Sequence, residues 1–255
     1  MEQNLYERFW EVDSLRGFAV VCMICYHFLF DLAFFGVLSI DVSSGTLWFF
    51  ARITASTFIF LMGISLTLSS SRIKLSRSYL HKSLFKKYFI RGCRIFLLGL
   101  FITMITWIFI PQEFIIFGIL HFIGISIILA YPFLKRKYLN LAAGIIIICI
   151  GIYLQTLSFN FNWLMWLGFV PNSLTTVDYF PIFPWFGIVL LGIFFGGVLY
   201  KNYKRQFELP DLSNNYIIKA SSFLGRHSLV IYLIHQPMII IALYFLGVVN
   251  INNFF

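Results

Sequence analysis

The chain has 255 residues, 60% hydrophobic and only 11% charged, with a mean hydropathy of +0.88. A soluble domain carries about 25% charged residues, so this composition excludes an ordinary water-soluble fold. The net charge of +9 does not signal nucleic acid, because the cations sit in short segments between apolar runs, where topology signals are placed.

A helix crossing a bilayer needs about 20 mostly apolar residues. On that criterion the sequence predicts seven spans: Ser14–Phe35, Leu47–Leu68, Arg91–Ile110, Phe114–Phe133, Leu139–Leu157, Pro181–Tyr200 and Phe223–Val249. Every backbone group must be satisfied inside lipid, so the spans are helices and the expected fold is an all-α bundle of about seven transmembrane helices. Residues 1–255 read as a single domain, without linker or internal repeat. The N-terminus mixes Glu2, Glu7, Arg8 and Glu11 and shows no small-residue cleavage pattern, so the first span is expected to stay. All nineteen Lys and Arg except Arg52 fall at one side of this arrangement, which places the N-terminus in the cytoplasm and the C-terminus outside. A multi-pass protein of the plasma membrane is expected. The longest outer connection, residues 158–180, is rich in aromatics (Trp163, Trp166, Phe169, Tyr179), as segments at the interface are.

Four cysteines are too few for a disulfide framework. Cys22-Met-Ile-Cys25 has no second pair to complete a zinc site, so a packing role and no metal are expected.

Chemistry is sought among ionisable residues in the spans, because they are expensive there and commonly functional. Arg16 and His27 are eleven residues apart in the first span. At 100° per residue they return to within about 20° of one another, roughly 16 Å apart along the axis. Asp31 follows His27 by four residues, close enough to orient the imidazole, and His is suited to proton exchange near neutral pH. Arg52, His121 and His235 fall at middle-to-outer depth in other spans, and Pro237 frees a backbone carbonyl beside His235. His81 and His227 read as solvated or structural. Arg91-Gly-Cys-Arg94 places two guanidiniums on one face, suited either to phosphate capture or to snorkelling toward headgroups.

An arginine, ten residues and a histidine in the first helix, followed by R-x-x-R at the start of a later one, resembles the membrane acyltransferases that modify surface sugars. Trp10-Glu-Val-Asp-Ser-Leu-Arg-Gly17, Phe60-Leu-Met-Gly-Ile-Ser65, Gly118-Ile-Leu-His121 and Leu224-Gly-Arg-His-Ser-Leu-Val-Ile-Tyr-Leu-Ile-His235 are similar to the compact prokaryotic branch related to the heparan-alpha-glucosaminide N-acetyltransferase catalytic domain. The resemblance covers nearly the whole chain. It implies an acyl-CoA donor, in the first instance acetyl-CoA, arriving from the cytoplasm. It implies a sugar-type hydroxyl or amine acceptor near the outer face. His27 is then the general base or a transient acyl carrier, assisted by Asp31. Arg16 lies along the donor channel, and Arg91 and Arg94 hold the donor's phosphates. In the pattern of the eukaryotic enzyme the His27 position is an asparagine and the working histidine lies in the following outer loop. Residues 37–46 here hold no histidine, so a glucosaminide acceptor is not carried over.

Acyl transfer also needs a donor for the developing oxyanion. His121 is preferred for depth, with Arg52 and His235 as alternatives or as acceptor-binding groups. The competing reading is a proton-coupled small-molecule carrier or flippase, which intramembrane His, Asp and Arg would also serve. A haem or quinone protein is a weaker alternative. Expected partners are the bilayer, acyl-CoA and a sugar-type acceptor, with no nucleic acid; a homo-oligomer is allowed.

Overall fold

A computed structural model describes residues 8–42, 44–76 and 84–248; Arg77, His81 and Lys82 of the basic segment lie outside them. The described residues form eight α-helices: α1 Trp10–Phe34, α2 Gly45–Leu75, α3 Leu84–Phe109, α4 Ile119–Leu129, α5 Lys137–Leu154, α6 Ile182–Leu199, α7 Tyr216–Arg226 and α8 Ser228–Phe245. Six of them, all but α4 and α7, are long and apolar enough to cross a membrane. Phe18, Leu97, Trp107 and Ile108 are each 60% or more exposed. Lipid, not water, is the solvent such surfaces require. The protein is therefore an all-α, multi-pass membrane protein.

Two of the seven expected spans take another form. Residues 114–118 of the fourth are not helical, and Phe117 and Gly118 are extended. Phe117 pairs in parallel with Tyr179, and the Phe180 N–H donates to the Phe117 carbonyl at 2.9 Å. Only eleven residues remain for α4. Hydropathy registers Phe114-Ile-Ile-Phe117 as apolar, but aromatic and β-branched residues before a glycine also suit an extended segment. The seventh expected span is divided at His227 (φ −102°, ψ 13°), which ends α7 and precedes α8. α2 and α3 instead run past the apolar stretch, through Arg72 and Lys74 and from Lys86 and Lys87. Lys and Arg are good helix formers, so the helix does not stop where the hydrocarbon does.

The chain separates into two compact units. One comprises residues 1–61 and 208–255, the other residues 62–207. In the first unit, α7 and α8 both pack on α1. A Cβ on Gly17 would lie 1.8 Å from the Ser221 carbonyl oxygen, and one on Gly225 would lie 1.9 Å from that of Asp13. Only glycine permits this approach of α1 to α7. Ser221 Oγ donates to the Ser14 carbonyl at 2.7 Å, and Asn215 caps α7 by accepting from the Ile217 N–H. α8 meets α1 through Ile239 and Leu243, against Ile24, Leu32 and Phe35.

In the second unit α3 packs on α4 and α5 on α6. The later part of α2 is tied to α6 by Thr67 Oγ1, which donates to the Ile193 carbonyl at 3.2 Å. Thr176 Oγ1 donates to the Phe114 carbonyl at 2.9 Å, fastening the loop before α6 to the extended stretch before α4.

Candidate functional site

α1 and α8 bring His27 and His235 together, although 208 positions separate them in the chain. The two imidazoles meet edge to face, their centroids 4.7 Å apart and their planes at 80°. His27 Nδ1 donates to the Met23 carbonyl at 2.8 Å, and His235 Nδ1 to the Tyr232 carbonyl at 2.7 Å. A carbonyl can only accept, so in the neutral rings Nδ1 carries the proton and Nε2 presents its lone pair. Both histidines are thereby set as bases, not as donors.

One helical turn beyond His27, Asp31 is 2% exposed. Its Oδ1 accepts from Gln236 Nε2 at 2.6 Å. The expected orientation of His27 by Asp31 is thus replaced by two separate contacts. Helical side chains tilt toward the N-terminus, so His27 reaches back to Met23 and Asp31 is engaged from α8. Three buried acceptor atoms in this place have no hydrogen-bond partner among the described residues: Asp31 Oδ2, His235 Nε2 and Gln236 Oε1. Leaving such atoms unpaired costs about 1–3 kcal/mol each.

Tyr26 stands at 5.5 Å from the His27 ring, edge to face, and lies within electrostatic reach of Arg52. The Arg52 guanidinium also covers Trp48 at 5.1 Å. Near the start of α1, Arg16 is ion-paired with Asp13 at 3.1 Å, and Asp13 also faces Arg8 at 3.9 Å. His227 is exposed and donates to the Phe223 carbonyl at 2.9 Å, a local helix-end role.

His121, Arg91 and Arg94 belong to the second unit. His121 is 2% exposed and lies between Phe96, edge on, and Phe117, stacked. Its Nδ1 accepts from the Gly118 N–H at 3.3 Å, leaving the proton on Nε2. That nitrogen faces Thr103 Oγ1 at 3.5 Å, whose own proton goes to the Ile115 carbonyl at 2.6 Å. The expectation that His121 donates to an oxyanion does not fit this geometry. Both ring nitrogens already serve the entrance to α4, which is what a buried capping residue does. Asp178 completes that entrance, its Oδ2 accepting from the Ile119 N–H at 3.0 Å. Burial pushes the Asp178 carboxyl up to about 6, against the lowering effect of that hydrogen bond. Arg91 and Arg94 are exposed on α3 and make no ion pair among the described residues.

Gln236 and Asp178 escape a reading of the sequence alone. An uncharged amide between His235 and Pro237 draws no attention in a hydropathy reading, though a polar side chain mid-span is itself a signal. Asp178 sits in the loop before α6, where a carboxylate is unremarkable until its partner is known. Among the described residues no group of three or more His, Cys, Asp or Glu is arranged to hold a metal ion.

The fold is that of a multi-pass helical membrane protein, and its first unit holds a pair of imidazoles with free lone pairs beside a buried carboxylate. Residues 8–237 match the family described as heparan-alpha-glucosaminide N-acetyltransferase, catalytic, and the chain belongs to that family. Its function is accordingly of the membrane acetyltransferase type. No curated protein and no solved structure matches the chain.

Proposed function

We propose that the protein transfers an acetyl group from cytoplasmic acetyl-CoA to a hydroxyl or amine of a sugar-type acceptor near the outer face of the plasma membrane. The N-terminus is taken as cytoplasmic and the C-terminus as external, on the distribution of Lys and Arg. The observation that carries the reading is the His27–His235 pair, with each Nδ1 tied to its own helix and each Nε2 lone pair available. In this reading His27 Nε2 takes the proton from the acceptor as its oxygen or nitrogen attacks the thioester carbonyl. The new C–O or C–N bond forms, the C–S bond breaks, and the imidazolium returns the proton to the departing thiolate. The three unpartnered acceptor atoms would hold the acceptor's neighbouring O–H or N–H groups. Arg52, electrostatically linked to Tyr26, is the proposed stabiliser of the oxyanion in place of His121. By family resemblance Arg91 and Arg94 bind the donor's phosphates, and Arg16 contributes through its pairing with Asp13.

The test is transfer of labelled acetyl from acetyl-CoA to a panel of neutral and amino sugars by the purified protein and by His27→Ala. Transfer by the wild type with loss in the variant is expected. Equal transfer by both would remove His27 from the reaction.

A further inference from the structure

We propose that Gln236 is a positioning residue of the acetyl-transfer site: its amide, held by Asp31, fixes the rotation of α8 on α1 and so holds the His235 ring against His27. The inference rests on the functional reading above, but its geometry stands separately.

Directional contacts join α1 and α8 at two levels. One is the His27–His235 ring pair and the other is the Gln236–Asp31 hydrogen bond at 2.6 Å. On α1 the two points are four residues apart, about 6 Å along the axis. On α8 they are consecutive residues, pointing about 100° apart. Two such rungs define both the height and the rotation of one helix on the other. The helices also share an apolar contact, Ile239 and Leu243 against Ile24, Leu32 and Phe35. Apolar contact is non-directional and tolerates rotation. Pro237, directly after Gln236, has no N–H for the helical ladder, which weakens internal restraint at this level of α8. The amide therefore carries the alignment. The hydrogen bond of His235 does not add to it, because its Nδ1 is committed to Tyr232 within its own helix.

The same contact explains a buried acid with one free oxygen. Asp31 Oδ1 is engaged and Oδ2 is not, so the clamp orients the carboxylate while leaving one buried oxygen without a hydrogen bond. Tyr26 and His27 on α1, and Tyr232 and His235 on α8, are titratable groups flanking it; Arg52 on α2 is within electrostatic reach of Tyr26.

The experiment uses the full chain in lipid nanodiscs with Gln236→Met, Asp31→Leu, their double variant and Asp31→Asn. Methionine keeps the length of glutamine without the amide, and asparagine in place of Asp31 keeps an acceptor for that amide. For Gln236→Met a loss of about tenfold or more in kcat is expected, with KM for acetyl-CoA within about twofold. The double variant should be no worse than the more affected single, as expected for partners in one contact. Asp31→Asn should retain about tenfold more activity than Asp31→Leu, since the rung is restored although the charge is not. A readout without turnover is carbethoxylation of His27 and His235 by diethyl pyrocarbonate, followed by mass spectrometry. Gln236→Met should change the His27 rate by about fivefold, a change Asp31→Asn does not reproduce. Wild-type kcat and labelling in Gln236→Met, or additive losses in the double variant, would overturn the proposal. Because labelling needs no substrate, failure of the acetyl-transfer reading and failure of the clamp give different results.

Discussion

His235 and His121 are both buried almost completely, at 7% and 2% exposure, in helices of one chain, yet they are opposite cases. His121 has each nitrogen facing a partner, lies between two phenylalanines and helps to begin a helix. His235 has one nitrogen tied to its own backbone and the other unpaired beside a second imidazole, a carboxylate and an amide. Burial alone does not mark a functional histidine. The account of its two nitrogens does: the ring with everything satisfied maintains structure, and the ring with a spare lone pair is available for chemistry.

Substitution sharpens this contrast. Alanine at His27 should have the largest effect, a loss of roughly 10²–10⁴-fold in acetyl transfer with an unchanged melting temperature in detergent. Alanine at His121 should reverse the pattern. Stability should fall by roughly 2–4 kcal/mol through the cavity and the orphaned Gly118 N–H, while transfer per folded molecule is retained. If His121→Ala instead folds normally and loses turnover, the distinction between the two histidines is wrong.

Asp178 tests the same region by pH. Its folded value of about 6 lies above the ordinary 3.8, because burial disfavours the charged form. Its contribution to stability is therefore fully present below about pH 4 and is lost as pH rises through 6. Asp178→Asn, which still accepts from Ile119 but never ionises, should gain on the wild type by about 1–3 kcal/mol between pH 4 and 7.5. Thermal melts across that range measure it. The smallest effect is expected at the exposed cations: Arg91→Gln or Arg94→Gln should raise KM for acetyl-CoA about tenfold each and leave kcat alone. Unchanged KM in both would assign these arginines to headgroups.

Much of the fold is legible because hydrocarbon imposes a length on apolar runs. α1, α5 and α6 lie within a few residues of their predicted limits. The misreadings have separate causes. Phe114–Phe117 is apolar enough for a span, but its backbone partners come from residues 177–180, which hydropathy does not connect to it. α7 and α8 merge in a sliding window because Phe223, Leu229 and Val230 are apolar on both sides of His227. The site is half legible. His27, His235 and Asp31 stand out as ionisable residues in spans, whereas their pairing and the role of Gln236 depend on contacts across some two hundred residues.

That separation has a consequence for biosynthesis. The polar opening of α1, with Glu11, Asp13 and Ser14 buried, and the His27 ring depend on helices encoded far downstream, beyond residue 207. Residues 62–207 have all their internal partners as soon as they emerge, but the first helix enters the bilayer early and waits for α7 and α8. A nascent protein halted before Gln236 would hold a finished second unit and no proton acceptor pair. On the proposed roles of His27 and His235, catalytic competence arrives abruptly, with the insertion of α8.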